Sequence, residues 1–171
     1  MEDGLKIYEN AVGVLTNNPP FDYQMYHLAN YMNLTRHPPE NRFCDSIPLT
    51  PYCLGLGAMG LPGDLSSSSR FVRAAFTKLN SLCGNTESES VSQFFHILGS
   101  VAQQKGLVRV RDDQYEFTRY SSCCNTVKGI YYYTAYENSQ ITAVDMHRCR
   151  LDGAELDVFP IAAAQQIRYI N

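Results

Sequence analysis

The stretch Gly13-Val14-Leu15-Thr16-Asn17-Asn18-Pro19-Pro20-Phe21-Asp22-Tyr23 marks a change of backbone regime. Ahead of it, Leu5 to Thr16 alternates loosely (Leu5, Ile7; Val12, Val14), a β-type pattern, and Glu9-Asn10 reads as a turn between two short strands. Paired prolines stop regular strand pairing, so Asn17 falls at a strand end. Beyond the prolines, Phe21, Met25, Leu28 and Met32 recur on one helical face. Asp22 lies in the first turn, where the helix dipole favours an anion.

Outward from this junction, residues 36–64 carry Pro38, Pro39, Pro48, Pro51, Gly55, Gly57 and Gly60 and little periodicity. They read as a long structured loop, a kind of segment that is usually functional. A serine run then opens a second helix with Val72, Ala75, Phe76 and Leu79 on its apolar face and Gly84 as its C′ residue. Thr86-Glu87-Ser88-Glu89 fits a capping box for a third helix, faced by Val91, Phe94, Phe95, Leu98, Val101 and Ala102 and ended by Gly106. Strands are expected over 115–123, 129–136, 140–146 and 156–161. Glu137-Asn138-Ser139 turns residues 129–146 into a hairpin. Helices followed by antiparallel strands make the fold class α+β.

The 171 residues, 44% hydrophobic and 18% charged, have the composition of one globular domain. A formal net charge of −3 without a basic stripe argues against a nucleic-acid partner. Apolar runs are far short of the ~20 residues that cross a bilayer, so no membrane partner is expected. Met1-Glu2-Asp3-Gly4 is acidic where a secretory leader is basic, which points to the cytoplasm. In that compartment the six cysteines are expected as buried free thiols. With no C-x-x-C pair and no histidine at ligand spacing, neither a metal nor an organic cofactor is expected.

No G-x-S-x-G elbow, Walker loop or H-E-x-x-H is present, and Gly55 to Gly63 lacks the Lys-Ser/Thr ending of a phosphate loop. Two residues stand out locally. Asn17 can offer amide N–H donors to a cleft, as an oxyanion hole requires, or merely bond turn backbone. Arg70 begins a helix against the dipole; it either pairs with Asp64 or Glu2, or stands as a fixed cation beside a reacting group. Cys123 and Cys124 are adjacent in a strand, point to opposite faces and do not read as a joint site.

Four stretches together resemble the choloylglycine hydrolase family, which contains bile salt hydrolases and penicillin V acylases. They are residues 13–23; Gly60-Leu61-Pro62-Gly63-Asp64 with Ser69-Arg70-Phe71-Val72-Arg73-Ala74-Ala75-Phe76; residues 94–98; and residues 128–133 with Tyr136-Glu137-Asn138. The resemblance covers nearly the whole chain and is stronger toward the bile salt hydrolases. It implies part of an αββα N-terminal-nucleophile hydrolase sandwich. In that family a cysteine exposed as first residue attacks the amide as a thiolate, and its own α-amino group moves the proton. Here Met1-Glu2-Asp3 carries no such cysteine, and residues 1–171 align with the C-terminal half of a single domain.

The resemblance implies that Asn17 is the oxyanion-hole amide and Arg70 the active-site arginine near the thiol. It implies a glycine- or taurine-conjugated bile salt as substrate, a missing N-terminal half as partner, and a homotetramer for intact protomers. This chain alone is expected to be inactive, with apolar sheet surface and unpaired strand edges exposed. A penicillin V acylase is the alternative on the same fold. An inactive gene fragment or a non-catalytic complementing half is the alternative of another class.

Overall fold

The computed structural model describes residues 6–171. Two compact units divide at Leu82/Cys83. The first holds helices α1 (Phe21–Leu28) and α2 (Ser67–Asn80). The second holds α3 (Glu87–Gly99) and strands β1 (Val108–Arg111), β2 (Gln114–Glu116), β3 (Tyr120–Asn125), β4 (Ile130–Ala135) and β5 (Thr142–Asp145). Helices followed by antiparallel sheet give the expected α+β class. No helix among the described residues is long and apolar enough to cross a membrane.

Residues 6–16 form no strand, contrary to the alternating pattern. A strand needs a partner for its backbone groups, and none pairs with this segment among the described residues. Leu5 lies outside the described residues. The turn also falls later than Glu9-Asn10. Gly13 N–H donates to the Asn10 carbonyl at 3.1 Å and to Asn10 Oδ1 at 2.7 Å. Gly13 has φ +63°, and a Cβ there would lie 2.1 Å from Lys78 Nζ, which donates to the Val12 carbonyl at 2.8 Å. The turn thus needs glycine both for its backbone and for the lysine that clamps it.

Helix α1 buries a different face from the one its methionines suggest. Phe21 and Leu28 pack on the core with Gln24 buried between them, while Met25 is exposed and Met32 is 84% exposed. Met32 lies past the helix end, beyond a single 3-10 turn over Ala29–Tyr31. Helix α2 is capped by Ser66, whose Oγ accepts from Ser69 N–H at 3.3 Å. Phe71, Val72 and Ala75 are its buried apolar side chains; Leu79 points to solvent. The helix ends at Asn80, so Gly84 is not its C′ residue. Gly84 instead lies against Glu89, whose Cβ a side chain at 84 would strike at 2.3 Å. Residues 36–64 form the expected long loop, closed where Gly57 meets residues 35–37. Thr35 N–H donates to the Gly57 carbonyl at 2.9 Å, and a Cβ at 57 would lie 2.0 Å from the His37 carbonyl oxygen.

In the second unit the capping box forms as expected. Thr86 Oγ1 accepts from Glu89 N–H at 3.2 Å, and Glu89 Oε2 accepts from Thr86 N–H at 2.9 Å. Helix α3 ends at Gly99 rather than Gly106, which sits in the turn before β1 with φ +99°. Glu87 accepts from Lys128, Tyr132 and Asn125, tying the helix start to the β3–β4 hairpin. Those donors, Lys128 foremost, hold its carboxyl below the ordinary range.

The sheet order is β3-β4-β5, all antiparallel, with Tyr120 opposite Ala135 and Tyr133 opposite Thr142. The hairpin over 129–146 is therefore present, its connection folded around buried Asn138. The sequence pattern missed β1, which pairs with β2 across Asp112-Asp113, where Asp113 takes φ 58°. Residues 156–161 form no strand. Side chains dock this part of the chain instead: Asn138 Nδ2 donates to the Ala162 carbonyl at 2.9 Å, and Ala162 N–H donates to Tyr133 Oη at 3.1 Å. Both β3 and β5 are edges of their sheet among the described residues. Tyr120, Tyr131, Tyr133, Val144, Phe159 and Ile161 line an open, largely apolar groove of about 480 Å³ on this unit.

Truncating a fully buried aromatic side chain removes both transfer energy and packing. Phe71→Ala is expected to lower unfolding free energy by about 3–5 kcal/mol. Leu156→Ala, at a side chain 91% exposed, is expected to stay within about 0.5 kcal/mol. Urea unfolding followed by circular dichroism checks both.

Candidate functional site

Asn17 lies in a bend over residues 17–19 and is exposed to solvent. The bend contains a cis Asn18–Pro19 peptide bond and leads straight into α1. Its flanks are held from the buried side. Gln24 Nε2 donates to Thr16 Oγ1 at 3.1 Å and, more weakly, to the Pro19 carbonyl at 3.5 Å. Outside the bend, Asp22 accepts from Tyr23 N–H at 2.9 Å and Tyr8 Oη at 3.1 Å; these bonds, that of Tyr23 first, lower its pKa.

Arg70 lies in the first turn of α2 and is half-buried. Its own N–H donates to the Ser66 carbonyl at 2.9 Å. The turn before it is bound twice over. Arg73 Nη1 donates to the Pro62 and Asp64 carbonyls, each at 2.8 Å. The Asp64 carboxylate accepts from Ser66 N–H at 2.9 Å and from Ser69 Oγ. Hydrogen bonds from Ser66 first, and then Ser69, bring the Asp64 pKa down from 3.8 to about 2. An ionised carboxylate thus sits at the start of α2, where the dipole favours it. Glu2, the other partner considered for Arg70, lies outside the described residues.

One apolar cluster joins these two places. Val12, Phe71 and Ala75 form its buried centre, and Val14, Phe21 and Leu28 pack around them. Phe21 follows the bend of Asn17, Phe71 follows Arg70, and their rings meet edge-on at 6.4 Å and 75°. Both candidates therefore ride on one core within the first unit. Gln24 and Arg73 were not singled out from sequence. A signal for Gln24 was present, because it falls at i+3 from Phe21 and i−4 from Leu28 on the buried face.

The cysteines do not match their expected burial. All six are free thiols, but Cys53, Cys83 and Cys124 are exposed and the other three are half-buried. Short strands and long loops cover them incompletely. Alternation in β3 leaves Cys124 outward and Cys123 half-buried, and burial raises the Cys123 thiol pKa. Among the described residues no group of three or more His, Cys, Asp or Glu side chains is placed to hold a metal ion.

Comparison with known proteins gives a consistent picture. Residues 1–159 match the profile of the linear amide C–N hydrolases, choloylglycine hydrolase family. A bile salt hydrolase/transferase of Lactiplantibacillus plantarum is 58% identical over 171 residues, which are 100% of this chain and 53% of that protein. The crystal structure of a variant conjugated bile acid hydrolase from Clostridium perfringens superimposes with a TM-score of 0.83 at 38% identity, over 97% of this chain and 50% of that one. Penicillin V acylase from Agrobacterium tumefaciens has a TM-score of 0.55 at 21% identity, over 78% and 36% of the chains, a likeness of fold alone. The chain spans about half the length of the curated relatives it matches.

The Asp64 anchor has a definite pH signature. Its folded pKa lies below its ordinary value of 3.8, so its stabilisation is present above about pH 4 and is lost as pH falls through about 2. Asp64→Asn is expected to be less stable than the parent at pH 6, with the gap closing between about pH 4 and pH 2. Urea midpoints measured across that range check it.

Proposed function

The chain belongs to the choloylglycine hydrolase family of linear amide C–N hydrolases, and on that footing we propose that it is the C-terminal half of a bile salt hydrolase. Residues 1–171 then form half of a single hydrolase domain. The substrate is a bile acid joined through an amide to glycine or taurine. The observation that carries this reading is the 58% identity to the Lactiplantibacillus plantarum bile salt hydrolase/transferase along the whole chain. The common core beneath the bend of Asn17 and the α2 start of Arg70 supports the assignment of these two residues.

The N-terminal half supplies a cysteine thiolate. The thiolate attacks the amide carbonyl, and the carbonyl oxygen takes up negative charge. The Asn17 side-chain amide donates to that oxygen. A donor fixed before reaction needs no reorganisation as charge develops, which is why such groups act on rate. The Arg70 guanidinium favours the thiolate and the developing charge. Protonation of the amine by the cysteine α-amino group releases glycine or taurine, and water hydrolyses the thioester. Without the thiolate the chain does not turn over, since loss of the nucleophile in a triad enzyme costs about 10⁶ in rate. The complete protomer works in the cytoplasm without a cofactor and assembles as a homotetramer.

The test joins the N-terminal portion of the Lactiplantibacillus plantarum relative ahead of this chain and follows glycine release from glycocholate. The fusion is expected to hydrolyse glycocholate in preference to penicillin V, and Asn17→Ala is expected to lower kcat by about 10²–10³. Preference for penicillin V would identify the acylase alternative. A folded but inactive fusion would point to a non-catalytic fragment. Unchanged kcat in Asn17→Ala would remove Asn17 from the oxyanion hole.

A further inference from the structure

Gln24 is 1% exposed, the only one of the polar side chains of α1 to be buried. Its amide nitrogen reaches back out of the helix to Thr16 Oγ1 and the Pro19 carbonyl. These two acceptors stand on either side of Asn17-Asn18. The carboxamide therefore spans the bend from beneath and ties its two arms to the first turn of α1. The Gln24 backbone N–H, bonded to the Pro20 carbonyl at 3.1 Å, fixes the root of that side chain.

Packing alone does not account for an amide here. Its Oε1 is buried and has no hydrogen-bond partner among the described residues. An orphaned buried acceptor costs about 1–3 kcal/mol. Leucine or methionine would fill similar space between Phe21 and Leu28 without that cost. What they would lack is the donor to Thr16 and Pro19. Local cost at a site that orders a functional group is an expected compromise.

We propose that Gln24 is a positioning residue for Asn17: its amide sets the bend so that the Asn17 side chain is already aimed when the oxyanion forms. Gln24 is buried beneath the bend and acts through Asn17. This rests on the reading of Asn17 as the oxyanion donor. The sensitivity of such a donor is steep, because a misplacement of about 1 Å can lower a rate by about 10².

A double-mutant cycle in the fusion enzyme tests it. Gln24→Met keeps volume and removes the donor; Thr16→Val keeps volume and removes its main acceptor. Each is expected to lower kcat for glycocholate by about ten- to a hundredfold while KM changes by less than about twofold. In the Asn17→Ala background the same changes are expected to lower kcat by less than about twofold, because no aimed donor is left to lose. The side-chain amide resonances of Asn17 are expected to shift in Gln24→Met while the backbone resonances of α2 do not, a readout that also serves if the fusion is inactive. If Gln24→Met fails to fold, Thr16→Val carries the cycle.

Equal losses with and without Asn17, a loss confined to KM, or unchanged Asn17 side-chain resonances would overturn the positioning role alone. If Asn17→Ala itself leaves kcat intact, the oxyanion reading fails and the positioning role with it.

Discussion

The first unit depends on the exclusion of Phe71 from water. Its ring meets Phe21 and packs with Val12 and Ala75, so three separate stretches of chain share one small apolar centre. Remove that contact and the segment before Asn17, the helix after it and the helix of Arg70 lose their common reference. Polar clamps then refine what burial has gathered. Lys78 holds the turn at Gly13, Gln24 the arms of the bend, and Arg73 the carbonyls ahead of α2. Lys78 and Arg73 join a side chain to backbone, which is how segments without strand partners satisfy their polar groups, and Gln24 joins the Thr16 hydroxyl and, more weakly, the Pro19 carbonyl.

The second unit is built by a different economy of contacts. Its three-stranded sheet is tied to α3 through Glu87, and the segment at Ala162 is docked by Asn138 and Tyr133 rather than by a ladder. Much large apolar surface remains in water, including Leu156, Val158 and Ile170.

Local signals were legible where the chemistry is local. The Thr86–Glu89 capping box, the serine run that opens α2, the long proline- and glycine-rich loop and the 129–146 hairpin all follow from short-range patterns. The failures are tertiary. The alternation of residues 5–16 and the apolar run of 156–161 predict strands, yet pairing depends on a neighbour that sequence pattern does not supply. Met25 and Met32 mimic a helical face, but the core selects Phe21, Gln24 and Leu28. Cysteine burial failed for the same reason, since four of the six cysteines lie in loops and only Cys123 and Cys124 on a strand. Asn17 and Arg70 could not be chosen over their bland readings from local sequence; the family resemblance singled them out, and the core beneath holds Phe21 and Phe71 from the segments that carry them. Gln24 was legible as a position but not as a role, because a buried amide declares its function only through its partners.

On the proposed function this chain is one part of a divided active site, with Asn17 and Arg70 on it and the thiol on another segment. The most direct measurement is to assay glycocholate hydrolysis by the purified chain, by the separately made N-terminal portion of the Lactiplantibacillus plantarum relative, and by the two refolded together. The account predicts glycine release only from the mixture, abolished by alkylating the N-terminal cysteine beforehand. Glycine release by the 171-residue chain alone, or by the N-terminal portion alone at the rate of the mixture, would contradict it.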